Sequence, residues 1–265
     1  FPDPRHQATL DRVAPALAAA DALFVEAAPA DEDRLAKALA ADPTLMVDPD
    51  GPTLPERLAP AEWDALAQAM SDRGTPGVIA ARMRPWYVAL MLGVSPCMVR
   101  AMADGSGEQG LDRMLAQEAQ AAGVPVRSLE PWDTIFGLFA GLSPAEELDM
   151  IRAGLPAAQY ADDYAVTLTD AYFRGEVWSI WEFGRFDAYA NSGLSRQAVD
   201  DQLSLVRTRL MDDRNRAWIA PLVQGAERAG PDGIVAAFGA LHLPGEAGVL
   251  SLLEDQGFTI TRLDG

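Results

Sequence analysis

Apolar residues follow two rhythms along this chain, and the alternation between them marks out an α/β protein. Leu10, Val13 and Leu17 recur every three or four residues among alanines, which predicts a helix over 7–20 closed by Asp21. Ala22-Leu23-Phe24-Val25-Glu26 is too short and too uniformly apolar for a helix and is ended by Pro29, so it reads as a buried strand. Helical spacing returns over 32–41. It returns again from Leu58, where Pro60 suits a first helical turn and Leu66 and Met70 continue the apolar face. The stretch 78–103 is dense in apolar residues, with a helix opened by Arg84-Pro85-Trp86 and stopped by Gly93, and Asp104-Gly105-Ser106-Gly107 reads as a loop. Leu111 to Ala122 is amphipathic with Gly123 as its C-cap, and Val124 to Leu129 alternates as a strand before Glu130.

Helices are then expected over 131–142, 144–153 and 160–174, from Ser195 to Met211 and from Arg214 to Ala229. Ile234 to Phe238 is the most strand-like segment of the chain. A histidine motif follows it, then a helix over 245–256 and a last strand from Phe258 to Leu263. The ends of the chain alternate strand and helix, and the middle is nearly all helix. The pattern predicts one α/β domain over 1–265. Its central mixed sheet would contain 22–26, 124–129, 234–239 and 258–263, flanked by helices, with a mostly helical lobe inserted between 135 and 230.

Composition narrows the class of partner. With 21 basic and 39 acidic side chains the formal charge is −18, a surface that repels phosphate backbones and argues against nucleic acid. No apolar run approaches the roughly 18–20 residues of a membrane span. The lone cysteine, Cys97, lies in apolar company without a nearby histidine and reads as an inert buried thiol, while Trp86, Trp132, Trp178 and Trp181 read as core. These features leave the partner and the oligomeric state open.

The sharpest local signal is Gly239-Ala240-Leu241-His242-Leu243-Pro244-Gly245-Glu246. Gly239 lets the backbone pass close to another element, and His242 then emerges at the carboxyl end of a strand, where open α/β sheets place their ligands. Imidazole there can bind a divalent ion or carry a proton; a histidine that merely caps the strand is the plainer alternative. The chain holds only His6 and His242, so carboxylates would have to complete any metal site. Glu26 and Glu130 are each the first acid after an apolar strand, and both could face the same crevice. Arg214 or Asn215, after Asp212-Asp213, could orient an acid or hold a substrate carboxylate by forked hydrogen bonds.

Taken in order, these pieces resemble the TraB/GumN family, whose wider group includes the Tiki metalloproteases. Phe24-Val25-Glu26 is similar to the family's early strand ending in a glutamate. Gly110-Leu111-Asp112 with Leu129-Glu130 is similar to its central block, Asp213-Arg214-Asn215 to its Arg-Asn helix, and Gly239 to Gly248 to its second GxxH block. Phe1-Pro2-Asp3-Pro4-Arg5-His6 looks like the residues just after the first GxxH, so that strand and its histidine are expected to precede Phe1, and His6 falls too late to replace it.

The resemblance implies a metal-dependent hydrolase, with a peptidase as the narrower expectation, using a divalent ion of the manganese or cobalt type. Glu26 and His242 would be ligands, with Glu26 also a candidate base and Arg214 an electrostatic partner. Glu130 and Asn215 would contact substrate, and Gly239 and Gly245 would shape the motif. Metal binding is expected to be weak or absent without the first histidine. The haem-binding branch of the superfamily implies the alternative, a non-catalytic protein binding haem, metal or peptide. Likeness to secreted bacterial members implies an extracytoplasmic protein whose signal peptide has been removed, in which Cys97 could pair with a cysteine upstream of Phe1.

Overall fold

A computed structural model describes residues 3–103, 110–139 and 141–262. Strand β1 (Leu23–Val25) is buried along its whole length because its alternating side chains feed two cores. Leu23 and Val25 pack with Leu17, Leu115, Ala119 and Val124 on one face, and Ala22 and Phe24 pack with Leu129, Trp218, Leu222 and Val249 on the other. Strands β2 (Val126–Ser128) and β3 (Val235–Ala237) pair in parallel with β1, in the order β2-β1-β3.

The protein is therefore α/β, with a small three-stranded sheet carrying helices on both faces. The three described strands run parallel, where the pattern suggests a mixed sheet. Residues 258–262, expected to form a fourth strand, are irregular, and Phe258 and Ile260 are exposed. Their alternation satisfies the period of a strand, but no described strand pairs with them, and the helix before them ends at Asp255 with Gly257 at φ +90°. Residue 263, and the loop expected over 104–107, lie outside the described residues.

The chain divides into two compact units, one within Phe1–Leu35, Glu108–Leu138 and Gln202–Gly265, the other within Ala36–Gly107 and Phe139–Asp201. The first contains the sheet. Its helix His6–Ala19 packs on helix Leu111–Ala122, which ends at Gly123 in the left-handed conformation. The second is helical, with a core of Leu54, Leu66, Met70, Val88, Leu92 and Ile151 on helices that include Pro60–Asp72, Pro85–Leu92 and Pro144–Ala158. The helical unit thus draws on 36–107 as well as on 139–201, and helix Asp213–Arg228 belongs with the sheet, a different division from a lobe over 135–230. Among the described residues no helix is long and apolar enough to cross a membrane.

Among the described helices of eight residues or more, Pro96–Ala103 and Val177–Asn191 escape the sequence pattern. The second spreads its apolar residues around all its sides, holds Gly184 at its centre and fully buries none of its residues, so it has no 3.6-residue stripe to detect. Trp178 on it is exposed, whereas Trp86 is buried as expected. Cys97 is half-buried, its sulfur 3.1 Å from Ser95 Oγ.

Helix Asp213–Arg228 reaches the sheet through a glycine. A Cβ on Gly225 would stand 2.8 Å from the ring of Phe24, which is buried and has no room to withdraw. Gly225→Val is expected to lower stability by about 1–3 kcal/mol, the usual cost of overpacking. Urea unfolding measures it; an unchanged midpoint would show that helix and strand do not meet there.

Candidate functional site

The strand order places a topological switch at β1: the chain moves from β1 to β2 on one side, then to β3 on the other. Ligands of open α/β sheets bind outside the carboxyl ends of the strands at such a point. Glu26 follows β1 directly, Glu130 stands two residues after β2, and His242 lies in the short 3-10 turn Ala240–His242 after β3.

One side chain from outside the sheet joins them. Arg214 opens helix Asp213–Arg228, and its Nη2 donates to Glu26 Oε2 at 2.5 Å and to Glu130 Oε1 at 2.8 Å. Its Nε donates to Glu130 Oε2 at 2.8 Å, and its Nη1 donates to the Leu210 carbonyl at 3.1 Å and faces His242 Nε2 at 3.5 Å. The five guanidinium N–H bonds are thereby all directed at partners within the chain. Leu210 lies in a π-helical turn, Thr208–Asp212, in which the Asp213 N–H bonds to the Thr208 carbonyl five residues back.

Trp218, one helical turn beyond Arg214, completes the wall of the crevice. Its indole N–H donates to Glu130 at 3.2 Å, its ring lies under the Arg214 guanidinium at 4.9 Å, and it packs against the His242 ring with centroids 4.4 Å apart. Glu130 and Arg214 are mostly covered, at 16% and 15% side-chain exposure, while Glu26 at 32% is the member that water reaches. Burial opposes the charge on Arg214, but hydrogen bonding to Glu130 and the fields of Glu26 and Glu130 outweigh it and hold its pKa above the ordinary guanidinium value.

His242 is buried, and its tautomer follows from its neighbours. Asn215 Nδ2 donates to the Ala247 carbonyl at 2.8 Å, which turns Asn215 Oδ1 toward His242 Nδ1 at 2.6 Å. Nδ1 must then carry the proton, and Nε2, facing a group that can only donate, keeps its lone pair. Burial pushes the His242 pKa down to about 4, with Glu26 pulling upward and Arg214 pushing further down, so the ring is neutral near pH 7.

Two glycines shape the chain on either side of His242. The Gly239 N–H donates to Glu26 Oε1 at 2.7 Å, and a Cβ there would meet Glu26 at 3.2 Å and the His242 ring at 3.4 Å. Gly245 turns at φ +95°, so the following helix starts only at Val249, with Gly248 as its N-cap.

Four of the residues that the sequence singles out therefore meet in one crevice: Glu26, Glu130, Arg214 and His242. Asn215, expected to face substrate, is instead buried behind His242. Trp218 is a member that sequence reasoning misses, although an aromatic four residues after Arg214 on one helix shares its face. A separate cleft of about 310 Å³ in the helical unit, lined by Asp72, Arg100, Tyr160, Asp162 and Asp163 among others, contains none of these residues.

The donor set does not suit a divalent ion as it stands. Both oxygens of Glu26 and both of Glu130 already accept hydrogen bonds, and His242 Nε2 faces a guanidinium. Among the described residues no group of three or more His, Cys, Asp or Glu is arranged to hold a metal. As arranged, these side chains do not fit a resident divalent cation.

The TraB/PrgY/gumN family model matches residues 1–262, and the chain belongs to that family. No curated protein sequence and no solved structure matches the chain significantly.

The buried imidazole makes stability depend on pH. His242 gives up its proton more readily in the folded state than in the unfolded chain, so from pH 6.5 down to about 4 unfolding takes up a proton and acidification destabilises the fold. The expected loss is on the order of 2–3 kcal/mol. Urea unfolding across that window should show the slope, and His242→Gln should flatten it; an equal slope in the variant would assign it to another group.

Proposed function

We propose that the chain is a hydrolase acting at carbonyl groups of small-molecule or peptide substrates, centred on the crevice of Glu26, Glu130, Arg214 and His242. The observation that carries this reading is the Asn215-oriented imidazole, a neutral ring whose Nε2 lone pair is set at the carboxyl end of the sheet. With the 3.5 Å contact to Arg214 Nη1 exchanged for a water, such a nitrogen can take that water's proton as it attacks a carbonyl carbon and pass the proton to the leaving group. Glu26, the most accessible charge of the cluster, would orient that water, and the Gly239 N–H and Arg214 hold its carboxylate in place. Glu130 and Trp218 serve by keeping Arg214 in register.

The metal-dependent form implied by the family resemblance would draw on Glu26 and His242 as ligands. Because those side chains do not fit an ion as they stand, no step is assigned to one. An extracytoplasmic location belongs to the same proposal, and cell fractionation of the full gene product checks it.

A second reading, a non-catalytic binding protein on the same fold, is favoured by one observation: every donor of Arg214 is engaged and His242 is buried, so the cluster is satisfied without turnover. Assays against a panel of peptides and esters, with and without added Mn²⁺ or Co²⁺, separate the two. Hydrolysis that falls by about 10²–10⁴-fold in His242→Ala, the usual worth of a proton acceptor, supports the enzyme. Undiminished turnover by His242→Ala would remove the catalytic reading. Tight binding of a panel member without cleavage would leave the binding protein.

A further inference from the structure

We propose that Arg214 is the resident cation of this crevice, holding the position between Glu26, Glu130 and His242 that a divalent ion would otherwise take, so that the chain binds no Mn²⁺ or Co²⁺ there. This rests on the geometry of the crevice and not on whether the protein turns over a substrate.

Two carboxylates and a neutral imidazole are ligand types that manganese and cobalt accept. Here all three converge on one guanidinium instead, at 2.5 Å from Glu26, 2.8 Å from Glu130 and 3.5 Å from His242. The two glutamates carry two negative charges and Arg214 returns one positive charge, while His242 carries none. The guanidinium thus meets much of the charge requirement that would draw in an ion.

Arg214 is also fixed. Its Nη1 is tied to the Leu210 carbonyl and its plane rests on Trp218, which is fully buried and itself bonded to Glu130. An ion bound at the usual distance of about 2.0–2.2 Å from Glu26 and His242 would lie beside this charge. It would also need the carboxylate oxygens that Arg214 already uses, so ion and arginine exclude each other.

Titration of the folded chain with Mn²⁺ and with Co²⁺, followed by calorimetry and by the visible absorption of Co²⁺, tests this. The wild type is expected to show no His242-dependent site. Arg214→Gln, which keeps a polar side chain but removes the charge, is expected to gain one, at least about tenfold tighter than any wild-type binding, within the roughly 10–100-fold by which neighbouring groups change metal affinity. Arg214→Gln combined with His242→Ala should lose the gain, and Arg214→Lys, which retains a cation, should behave as the wild type.

One equivalent of Co²⁺ bound by the wild type and lost in His242→Ala would overturn the proposal. So would an Arg214→Gln protein that is folded yet binds no ion. If Arg214→Gln does not fold alone, refolding with Co²⁺ present is the readout: recovery supports the proposal and failure counts against it. Absence of hydrolysis in the substrate panel would bear on the proposed activity and leave these outcomes unchanged.

Discussion

The site depends on one guanidinium that holds together the carboxyl ends of the strands. Parallel strands leave the same end pointing the same way, so the acids that follow β1 and β2 are brought side by side, where they would repel. Arg214 answers both, with a forked bond to Glu130 and a single bond to Glu26, and it faces the histidine that follows β3. The pairs are part-buried, so removing one partner strands a charge that water reaches in part, at a cost below the roughly 3–5 kcal/mol of a fully buried pair. The crevice is therefore as much a part of how the sheet and helix Asp213–Arg228 hold together as it is a place for chemistry.

The same cluster explains why His242 is presented as it is. Two sets of hydrogen bonds meet on the ring: Asn215, held by the Ala247 carbonyl, on one nitrogen, and Arg214, held by the glutamates, beside the other. Asn215 and Arg214 are sequence neighbours, and their side chains reach different parts of the same ring.

Much of this arrangement is legible in the sequence. A short apolar run followed by an acid marks β1 with Glu26 and β2 with Glu130, because a buried strand must end in something water can reach, and Gly239 marks a close approach that the Cβ distances bear out. The parts that are not legible depend on contacts distant in sequence. The role of Asn215 requires the Ala247 carbonyl, and that of Trp218 requires Glu130, 88 residues away. The alternation over 258–263 resembles a strand because period alone does not say whether a neighbour exists to pair with. Helix Val177–Asn191 leaves no stripe because none of its residues is fully buried.

The π-helical turn Thr208–Asp212 accommodates one residue more than an α-helical turn, and it does so without rotating the helix that follows. Loss of a single codon within 208–212 would let this turn close into ordinary α-helix and leave helix Asp213–Arg228 facing the sheet as before. What such a deletion would change is local: the carbonyl that Leu210 now offers to Arg214 Nη1. In this stretch the chain carries a spare residue, and its use is to place one backbone oxygen.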